Sequence, residues 1–407
     1  MKKKYISPFK PLKSIKVKTS GFKIYTFNAG YKRFSDDLVI ICFDKAVAIS
    51  SVYTQSSTPS AAVIWDKKIS KKNLCKVLIV NSGNANAYTG KEGIEAIKKY
   101  CAFASKILKC KLNQIYVSST GVIGESLDPL LIINKLKILK RSKTKNLLDA
   151  AKAIMTTDTY PKICSETFKI NGKKINIYGI AKGSGMIAPN MGTMLSYIFI
   201  EASLNNQTLN KLLKFNIENS FNSISVDGDM STNDTVMLFS VGDIKLTKKE
   251  NNEIVFNLLS TALKKIMLNL SHQIVCDGEG ISRLIEVNIT NAKNKIQAKK
   301  IAFSIAESLL VKTAIFGKDA NWGRIIMAIG KTSEKIYPNK ISLKFGKFIV
   351  AEKGKISKRI NETSLKKYMK NKIIKINLNL NIGKFSKTVW SSDLTNEYIK
   401  LNTDYRS

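Results

Sequence analysis

A single histidine, His272, occurs in the 407 residues, and this scarcity restricts the chemistry of the chain. One histidine cannot build a histidine-rich metal site, and a serine–histidine–aspartate triad would depend on this residue alone. We expect His272 to be structural, either at a helix end or hydrogen-bonded in the core, and we expect no metal site. A nucleophile in this chain would therefore need a different base.

Cysteine pairs, a secretory signal and long apolar runs are also missing. The six cysteines are far apart without a Cys-x-x-Cys pair, so we expect them to be reduced and mostly buried. We find no apolar run near the roughly 18 residues that a membrane span needs. The N-terminus is basic but lacks the apolar segment of a signal peptide. We therefore predict a soluble, cytoplasmic protein with no membrane partner.

Acidic residues are few, since 30 aspartates and glutamates stand against 67 lysines and arginines, for a net charge of +37. A basic chain can bind nucleic acid when its charges cluster. Here the lysines are dispersed and come with abundant asparagine and isoleucine, and no RNA-binding signature or aromatic–basic platform occurs. We interpret the charge as a solvated surface and predict no nucleic-acid partner.

Short β-like runs alternate with helical patterns along the chain. The predicted strands include 23–27, 38–42, 46–50, 76–80, 114–118, 194–200, 235–239 and 284–289. The predicted helices are at about 94–108, 129–139, 145–155, 208–220, 250–270 and 295–311. The spacing is not that of regular strand–helix–strand units. It favours α+β or layered α/β sheets over a doubly wound fold.

The most informative segment is KGSGMIAPNMGTML, from Lys182 to Leu195, almost at the midpoint of the chain. A glycine-punctuated turn containing one proline delivers Thr193 to the start of an apolar run. A strained bond between Gly192 and Thr193 would be able to cut itself. Thr193 would then be a new N-terminus that carries a nucleophile and an amine base on one residue. The natural division of the chain is therefore at Thr193.

Three further polar clusters fall in predicted turns, and each allows two interpretations. The segment from Ser118 to Gly124 predicts either a turn that stabilises an oxyanion or a plain glycine turn. The segment from Asp277 to Gly280 exposes a carboxylate between glycines, for binding or simply as a solvated turn. Thr156 and Thr157 end a predicted helix, where capping explains the hydroxyls equally well.

These segments together resemble the ornithine acetyltransferase family, the bifunctional glutamate N-acetyltransferases of arginine biosynthesis. The matching segments, in order, are NSGNANA from Asn81, SSTGVIG from Ser118, MTTDTYPK from Met155, KGSGMIAPNMGTML from Lys182, DGDMSTNDT from Asp227, DGEG from Asp277, GKDANWGRI from Gly317 and YIKLNTDYRS at the C-terminus. They cover essentially the whole chain. Ordered matches of this kind are far more specific than one motif.

The resemblance implies a fold of two layered α/β domains, like that of the N-terminal-nucleophile aminopeptidases. It implies cleavage into an α chain, residues 1–192, and a β chain, residues 193–407, which assemble as a heterotetramer of two copies of each. The family usually has alanine at the position of Gly192 and threonine at that of Ser407. Glycine permits the acyl shift, but its looser backbone stores less strain, which would slow cleavage.

The resemblance also implies the site. Thr193 is the nucleophile, and Thr120 with Gly121 forms the oxyanion hole. The substrate-binding positions that it implies are Thr156, Lys182, Thr193, Glu279, Asn402 and Ser407, with Thr157 as the alternative to Thr156. The reaction is a ping-pong transfer of acetyl from N2-acetyl-L-ornithine to L-glutamate.

No metal and no bound cofactor are implied, and whether acetyl-CoA serves as a further co-substrate stays open. Two other functions are compatible with the residues. One is an N-terminal-threonine aminopeptidase or amidohydrolase on the same scaffold, which would lose its acyl group to water. The other is a non-catalytic basic binding protein that descends from the enzyme.

Overall fold

The computed structural model describes residues 5–13, 15–70, 73–170, 172–188, 194–244 and 253–403. Three residues predicted to act at the site, Gly192, Thr193 and Ser407, lie outside these ranges. The described strands form two β-sheets, each covered by helices.

The elements alternate irregularly along the chain. The strands are β1 (Phe22–Phe27), β2 (Leu38–Tyr53), β3 (Leu74–Asn84), β4 (Ile115–Val122), β5 (Lys162–Ile170), β6 (Lys173–Lys182), β7 (Leu195–Ile200), β8 (Ile224–Ser225), β9 (Thr235–Ser240), β10 (Leu284–Ala292), β11 (Ser342–Phe345), β12 (Phe348–Glu352), β13 (Lys355–Ile356), β14 (Ile373–Asn379) and β15 (Phe385–Ser392). The α-helices are α1 (Ala61–Ile69), α2 (Gly90–Leu108), α3 (Pro129–Ile138), α4 (Leu147–Ala153), α5 (Asn206–Ile217), α6 (Glu253–Val275), α7 (Lys295–Ala306), α8 (Leu309–Phe316), α9 (Trp322–Gly330), α10 (Glu362–Tyr368) and α11 (Asn396–Thr403).

The first sheet has the strand order β4-β3-β2-β9-β7-β6-β5, and β1 pairs with the first part of β2. It mixes directions, since β3 with β4 and β7 with β9 are parallel while the other neighbours are antiparallel. Strand β6, which precedes Thr193 in the chain, is hydrogen-bonded to β7, which follows it. The first sheet therefore contains strands from both sides of the predicted division at Thr193. Lys182 pairs with Leu195 at the end where the chain passes from β6 to β7.

Alternating side chains give the first sheet two apolar faces. One face carries an aromatic cluster in which the ring centroid of Phe199 lies 4.6 Å from that of Phe22 and 5.2 Å from that of Phe239. Helix α4 packs on this face. The opposite face is covered by α1, α2 and α3 over β2 to β4, and by α5 and α6 over β5 to β9. Because both faces of the sheet are packed with apolar side chains, we expect the polar residues of a site at the ends of the strands.

The second sheet has the order β13-β12-β11-β14-β10-β15-β8. Its core contains alternate residues of β10, namely Ile285, Val287 and Ile289, packed with side chains of α7, α8 and α9. The two sheets are joined because α6 contacts β5 and β6 of the first sheet and β8 and β15 of the second. The prediction of a mixed α/β fold in two layered units is confirmed.

Two predicted element boundaries were wrong for local reasons. The strands predicted at 38–42 and 46–50 are one strand, β2, because a register shift between Cys42 and Val47 absorbs the polar residues between them. The helix predicted at 295–311 is two helices, since the Ser308 side chain accepts the N–H of Val311 and starts α8. The cap predicted at Asp128 is confirmed, and it accepts the N–H of Leu130.

One helix bears on the expectation that no apolar run approaches the length of a membrane span, although Lys264 and Lys265 interrupt its apolar residues. Among the described residues one helix, α6, is long and apolar enough for one, although half of its most apolar window is buried. Its residues Leu259, Leu263, Ile266 and Leu270 belong to the core beneath the first sheet. The helix therefore packs as the core helix of a globular unit does.

Candidate active site

A cavity of about 230 Å³ opens at the end of the first sheet. It is lined by every candidate site residue that falls within the described ranges, namely Thr120, Gly121, Thr156, Thr157, Lys182, Glu279 and Asn402. These residues come from five separate segments, from β4 to α11. Both Thr156 and Thr157 line the cavity, so the choice between them stays a prediction.

Thr120 and Gly121 lie at the end of β4, against the end of β3. Gly121 has a φ of +140°, and a Cβ there would lie 2.2 Å from the carbonyl carbon of Gly83, so only glycine fits. Lys182 Nζ donates a hydrogen bond to Thr120 Oγ1 at 3.2 Å. Because the threonine oxygen is the acceptor in this bond, its own proton remains available for a second acceptor.

Lys182 ends β6 and is 3% exposed. Burial lowers its pKa, and the nearby carboxylates of Asp158, Glu279 and Asp234 act in the opposite direction. A buried ammonium of this kind, aimed at the oxyanion pair, suits an anionic group of a ligand in the cavity.

A buried ion cluster lies directly behind the cavity. Lys162 Nζ is 2.6 Å from Asp158 Oδ1 and 2.6 Å from Asp277 Oδ2, and all three side chains are fully buried. Burial alone would raise the pKa of Asp158, but Lys162 and Lys182 hold this pKa well below its usual value. Burial raises the pKa of Asp277, and the ammonium of Lys162 acts against this rise.

The cluster holds three of the sequence segments together through their backbones. Asp158 accepts the N–H groups of Thr156 at 3.0 Å and Gly183 at 2.8 Å. Asp277 accepts the N–H of Thr159 at 2.9 Å, and its carbonyl oxygen accepts the Ser184 hydroxyl at 2.6 Å. The hydroxyl-rich segment, the glycine-rich segment and the DGEG segment are therefore fixed relative to one another.

Glu279 was predicted to be exposed on its turn, and this was wrong, since it is only 8% exposed. Asn402 Nδ2, on α11, donates to Glu279 Oε2 at 2.9 Å. On the other side the carboxylate packs on Gly185, where a Cβ would lie 2.6 Å from Glu279 Cδ. The glycine-rich segment thus makes room for the carboxylate, and α11 orients it.

Five further polar side chains that line the cavity were not predicted to act at the site: Asp227, Asp229, Ser231, Asn233 and Tyr398. Asp227 accepts the N–H groups of Met186 at 2.7 Å and Ile187 at 2.9 Å, which shapes the glycine-rich segment. Burial raises the pKa of Asp227 to about 6. The DGDMSTNDT segment was the available signal, but its pattern assigns no role to any single residue.

The segment that contains Asp227 also reaches the residue after Thr193. Met194, the first described residue there, donates its N–H to Asp234 Oδ1 at 2.7 Å. Asn233 Nδ2 donates to the carbonyl oxygens of Ala85 at 2.7 Å and Ser119 at 2.8 Å. The segment therefore links the start of β7 to the strand end that carries Thr120.

His272 lies outside the cavity, in the last turn of α6, with its ring centroid 4.5 Å from that of Trp390. Its helix-end position was predicted, but its Nε2 is buried without a hydrogen-bond partner among the described residues. Burial lowers its pKa. The six cysteines are unpaired, three of them buried and three partly buried. In the described ranges no cluster of histidine, cysteine and acidic side chains has the form of a metal site.

The chain is similar to known proteins along almost its whole length. A sequence model described as the ArgJ family matches residues 23–407. The arginine biosynthesis bifunctional protein ArgJ of Bartonella henselae is 43% identical over 393 residues, which are 95% of each chain. The protein of the same name from Mesorhizobium japonicum is 41% identical over 411 residues, or 99% of each chain.

Solved structures are also similar to this chain. The crystal structure of the arginine biosynthesis bifunctional protein argJ from Bacillus halodurans is 34% identical, with a TM-score of 0.47. The match covers 52% of this chain and 100% of that chain.

Proposed function

This chain belongs to the ArgJ family, and from that premise we propose that it transfers an acetyl group from N2-acetyl-L-ornithine to L-glutamate in arginine biosynthesis. It is an acyltransferase that releases ornithine and forms N-acetylglutamate. The observation that carries the proposal is one cavity in which Thr120, Gly121, Lys182, Glu279 and Asn402 meet.

The first step is self-cleavage between Gly192 and Thr193. The Thr193 hydroxyl attacks the Gly192 carbonyl carbon, the peptide C–N bond breaks, and the resulting ester is hydrolysed by water. This frees the Thr193 α-amine, whose usual pKa of about 7.7–8.0 leaves part of it neutral near neutral pH. The neutral amine is the general base, so the reaction needs no histidine. The products are chains of residues 1–192 and 193–407.

In turnover the amine takes the proton of the Thr193 hydroxyl, whose oxygen attacks the acetyl carbonyl of N-acetylornithine. The negative charge on the tetrahedral intermediate is stabilised by Thr120 and Gly121. The hydroxyl of Thr120 has a proton to donate because Lys182 donates to its oxygen. The ammonium returns its proton to the leaving ornithine nitrogen. The glutamate amine then attacks the acetyl-threonine and regenerates Thr193.

Charge complementarity assigns the binding roles. Lys182 pairs with the substrate carboxylate, and Glu279, oriented by Asn402, accepts the side-chain ammonium of ornithine. Thr156 and Ser407 supply further polar contacts. The acetyl group travels on Thr193, so the transfer needs no bound cofactor. We further propose that two copies of each chain form a heterotetramer, in the cytoplasm.

The test is incubation of the purified protein with N-acetylornithine and glutamate, with ornithine and N-acetylglutamate measured together. We expect equal amounts of both products, and N-terminal sequencing should find a fragment that begins Thr-Met-Leu-Ser. The Thr193→Ala variant should stay uncut and lose at least about 10³-fold in rate, as for loss of any covalent nucleophile.

Two results would contradict the proposal. Ornithine release at an undiminished rate without glutamate would indicate a hydrolase of the aminopeptidase type. An intact chain without activity would indicate a protein that only binds. Adding acetyl-CoA and glutamate without N-acetylornithine shows in the same assay whether acetyl-CoA is a co-substrate.

A further inference from the structure

Residues 5–9, which we call the N-terminal arm, pack against parts of the chain that are far away in sequence. Ser7 is only 3% exposed, and Phe9 packs against the apolar core beneath the first sheet. Lys372 Nζ, from the residue before β14, donates a hydrogen bond to the Pro8 carbonyl oxygen at 3.1 Å. The arm is therefore a packed element of the fold.

Two side chains of the arm bind the turn that carries Glu279. Tyr5 Oη donates to the Ile281 carbonyl oxygen at 2.5 Å, and Ser7 Oγ donates to the Cys276 carbonyl oxygen at 2.5 Å. These carbonyl groups belong to the residue two positions after Glu279 and to the residue three positions before it. The arm therefore holds the turn on both sides of this carboxylate.

The arm is also connected to the buried ion cluster behind the cavity. The backbone N–H of Ser7 donates to Thr159 Oγ1 at 3.2 Å, and this hydroxyl in turn donates to Asp277 Oδ1 at 2.5 Å. The ion cluster holds the turn through the carboxylate of Asp277, and the arm holds it through backbone carbonyl groups. The turn is thus fixed by two separate sets of contacts.

Glu279 has little room to move within these contacts. Its backbone N–H donates to the Ser184 carbonyl oxygen at 3.2 Å, and its Oε2 accepts the hydrogen bond from Asn402 Nδ2 at 2.9 Å. On the other side its carboxylate packs on Gly185. A misplacement of about 1 Å in such a binding group can cost about 10²-fold in rate. Contacts that fix the turn therefore matter for binding.

We propose that Tyr5 and Ser7 are positioning residues that fix the location of Glu279 and so set the preference of the site for an acetyl donor with a side-chain ammonium. This inference rests on the proposed function, because it takes Glu279 as the acceptor of the ornithine ammonium. Tyr5 and Ser7 do not line the cavity themselves, so their effect on a substrate passes through the turn.

The test compares two acetyl donors in the wild-type protein and in the double variant Tyr5→Phe/Ser7→Ala, with glutamate as the acceptor. N2-acetyl-L-norvaline has the carbon chain of N-acetylornithine but no side-chain ammonium, so it cannot pair with Glu279. We expect kcat/KM for N-acetylornithine to fall about tenfold, mainly through KM, which corresponds to weakening one hydrogen bond between charged groups.

The value of kcat/KM for N-acetylnorvaline should change by less than about twofold in the same variant. The ratio of the two values is the readout, because a general loss of folded structure lowers both by the same factor. An unchanged ratio would overturn the inference.

The double variant Tyr178→Phe/Ser20→Ala is the matched control, because it removes the same two hydroxyl groups elsewhere. Tyr178 Oη and Ser20 Oγ both donate to Glu201 Oε1, at 3.1 Å and 2.7 Å. Neither residue lines the cavity. This variant should keep the wild-type ratio between the two donors, and a change equal to that of the arm variant would overturn the inference.

A third measurement places the arm substitutions in a Glu279→Gln protein. The arm should then have no further effect on the ratio between the donors, because the carboxylate that it positions has been removed. A further change in the ratio would mean that the arm acts by another route, and the inference would be wrong. A wild-type protein that releases no ornithine from N-acetylornithine and glutamate would instead contradict the proposed function.

Discussion

Two of the cavities in the described part of the chain have nearly equal volumes and opposite character. One, of about 230 Å³, lies at the end of the first sheet between loops that carry Thr120, Lys182 and Glu279. The other, of about 240 Å³, lies beside α9 and the second sheet, and most of its lining is apolar, including Trp322 and Ile329. Volume does not distinguish them.

The difference is in how the walls are held. The apolar cavity is bounded by side chains whose position follows from core packing around α9 and β11. The polar cavity is bounded by loops whose backbone N–H groups are bound by buried carboxylates, namely Asp158, Asp227, Asp234 and Asp277. Reactive groups can be aligned only where such loops are fixed. A catalytic cavity is therefore recognised by the network behind it.

Removing the buried cation should have the largest effect on this network. Lys162→Met keeps the length of the side chain but removes the ammonium that forms ion pairs with both buried carboxyl groups, Asp158 and Asp277. We expect the free energy of unfolding to fall by about 3–5 kcal/mol. The acetyl transfer rate should fall with it, because the backbones next to Lys182 and Glu279 lose their anchor. Chemical denaturation and the transfer assay measure the two effects.

Lys300→Met is the control for that substitution. Lys300 forms an exposed ion pair with Glu334, 2.9 Å apart, on the unit that holds the apolar cavity. Surface pairs contribute about 0–1 kcal/mol, so this variant should unfold close to the wild type and keep its activity. Equal losses in both variants would mean that the buried cluster has no special role at the cavity.

Adding one methyl group at the oxyanion pair should have the next largest effect. In Gly121→Ala the new Cβ would lie 2.2 Å from the Gly83 carbonyl carbon, so β3 and β4 must separate near Thr120. We expect a loss in kcat of about 10²–10³-fold, the usual result of displacing an oxyanion-hole donor. Gly124→Ala is the control, because Gly124 has a φ of +87° but no atom within 4 Å of the new Cβ. Similar losses in both variants would show that backbone strain, and not the displaced donor, is responsible.

Sequence patterns predicted those features of the polar cavity that depend on residues close together in the chain. The strand predicted at 114–118 is present, but the turn predicted at Thr120 and Gly121 was wrong, because β4 continues through both residues to Val122 and pairs there with the end of β3. The glycine-rich segment after Lys182 does connect two paired strands. Lys182, Glu279 and Asn402 meet as the family resemblance implied, although no local pattern marks them as partners.

The sequence could not predict the ion pairs and hydrogen bonds between residues that are far apart in the chain. Glu279 was expected on an exposed turn because acidic residues in loops usually are solvated. It is buried since the turn is anchored through Asp277 by Lys162, which is 115 residues away in the chain. Nor does any local pattern show that Asp234 contacts Met194, 40 residues earlier. Such contacts follow from the sheet order, which places β7 beside β9.

A smaller effect should appear in the pH dependence of stability. Burial raises the pKa of Asp227 to about 6, from an ordinary value of 3.8, so the folded protein binds this proton more tightly than the unfolded chain. The stabilisation is complete below pH 4 and is lost as the pH rises through 6. Asp227→Asn lacks this loss, so its melting temperature relative to the wild type should increase between pH 4 and pH 7. A constant difference would mean that Asp227 titrates normally.

The smallest effect on activity should come from a substitution in the wall of the apolar cavity. Ile329→Ala enlarges that cavity and removes a side chain that is 2% exposed in the second core. We expect the free energy of unfolding to fall by about 2–5 kcal/mol, as for other large-to-small core changes. The value of kcat/KM below the melting transition should stay within about twofold, because Ile329 belongs to the second core and does not line the polar cavity. A large loss of activity in folded protein would show that the second sheet is coupled to the site, and the contrast between the cavities would then fail.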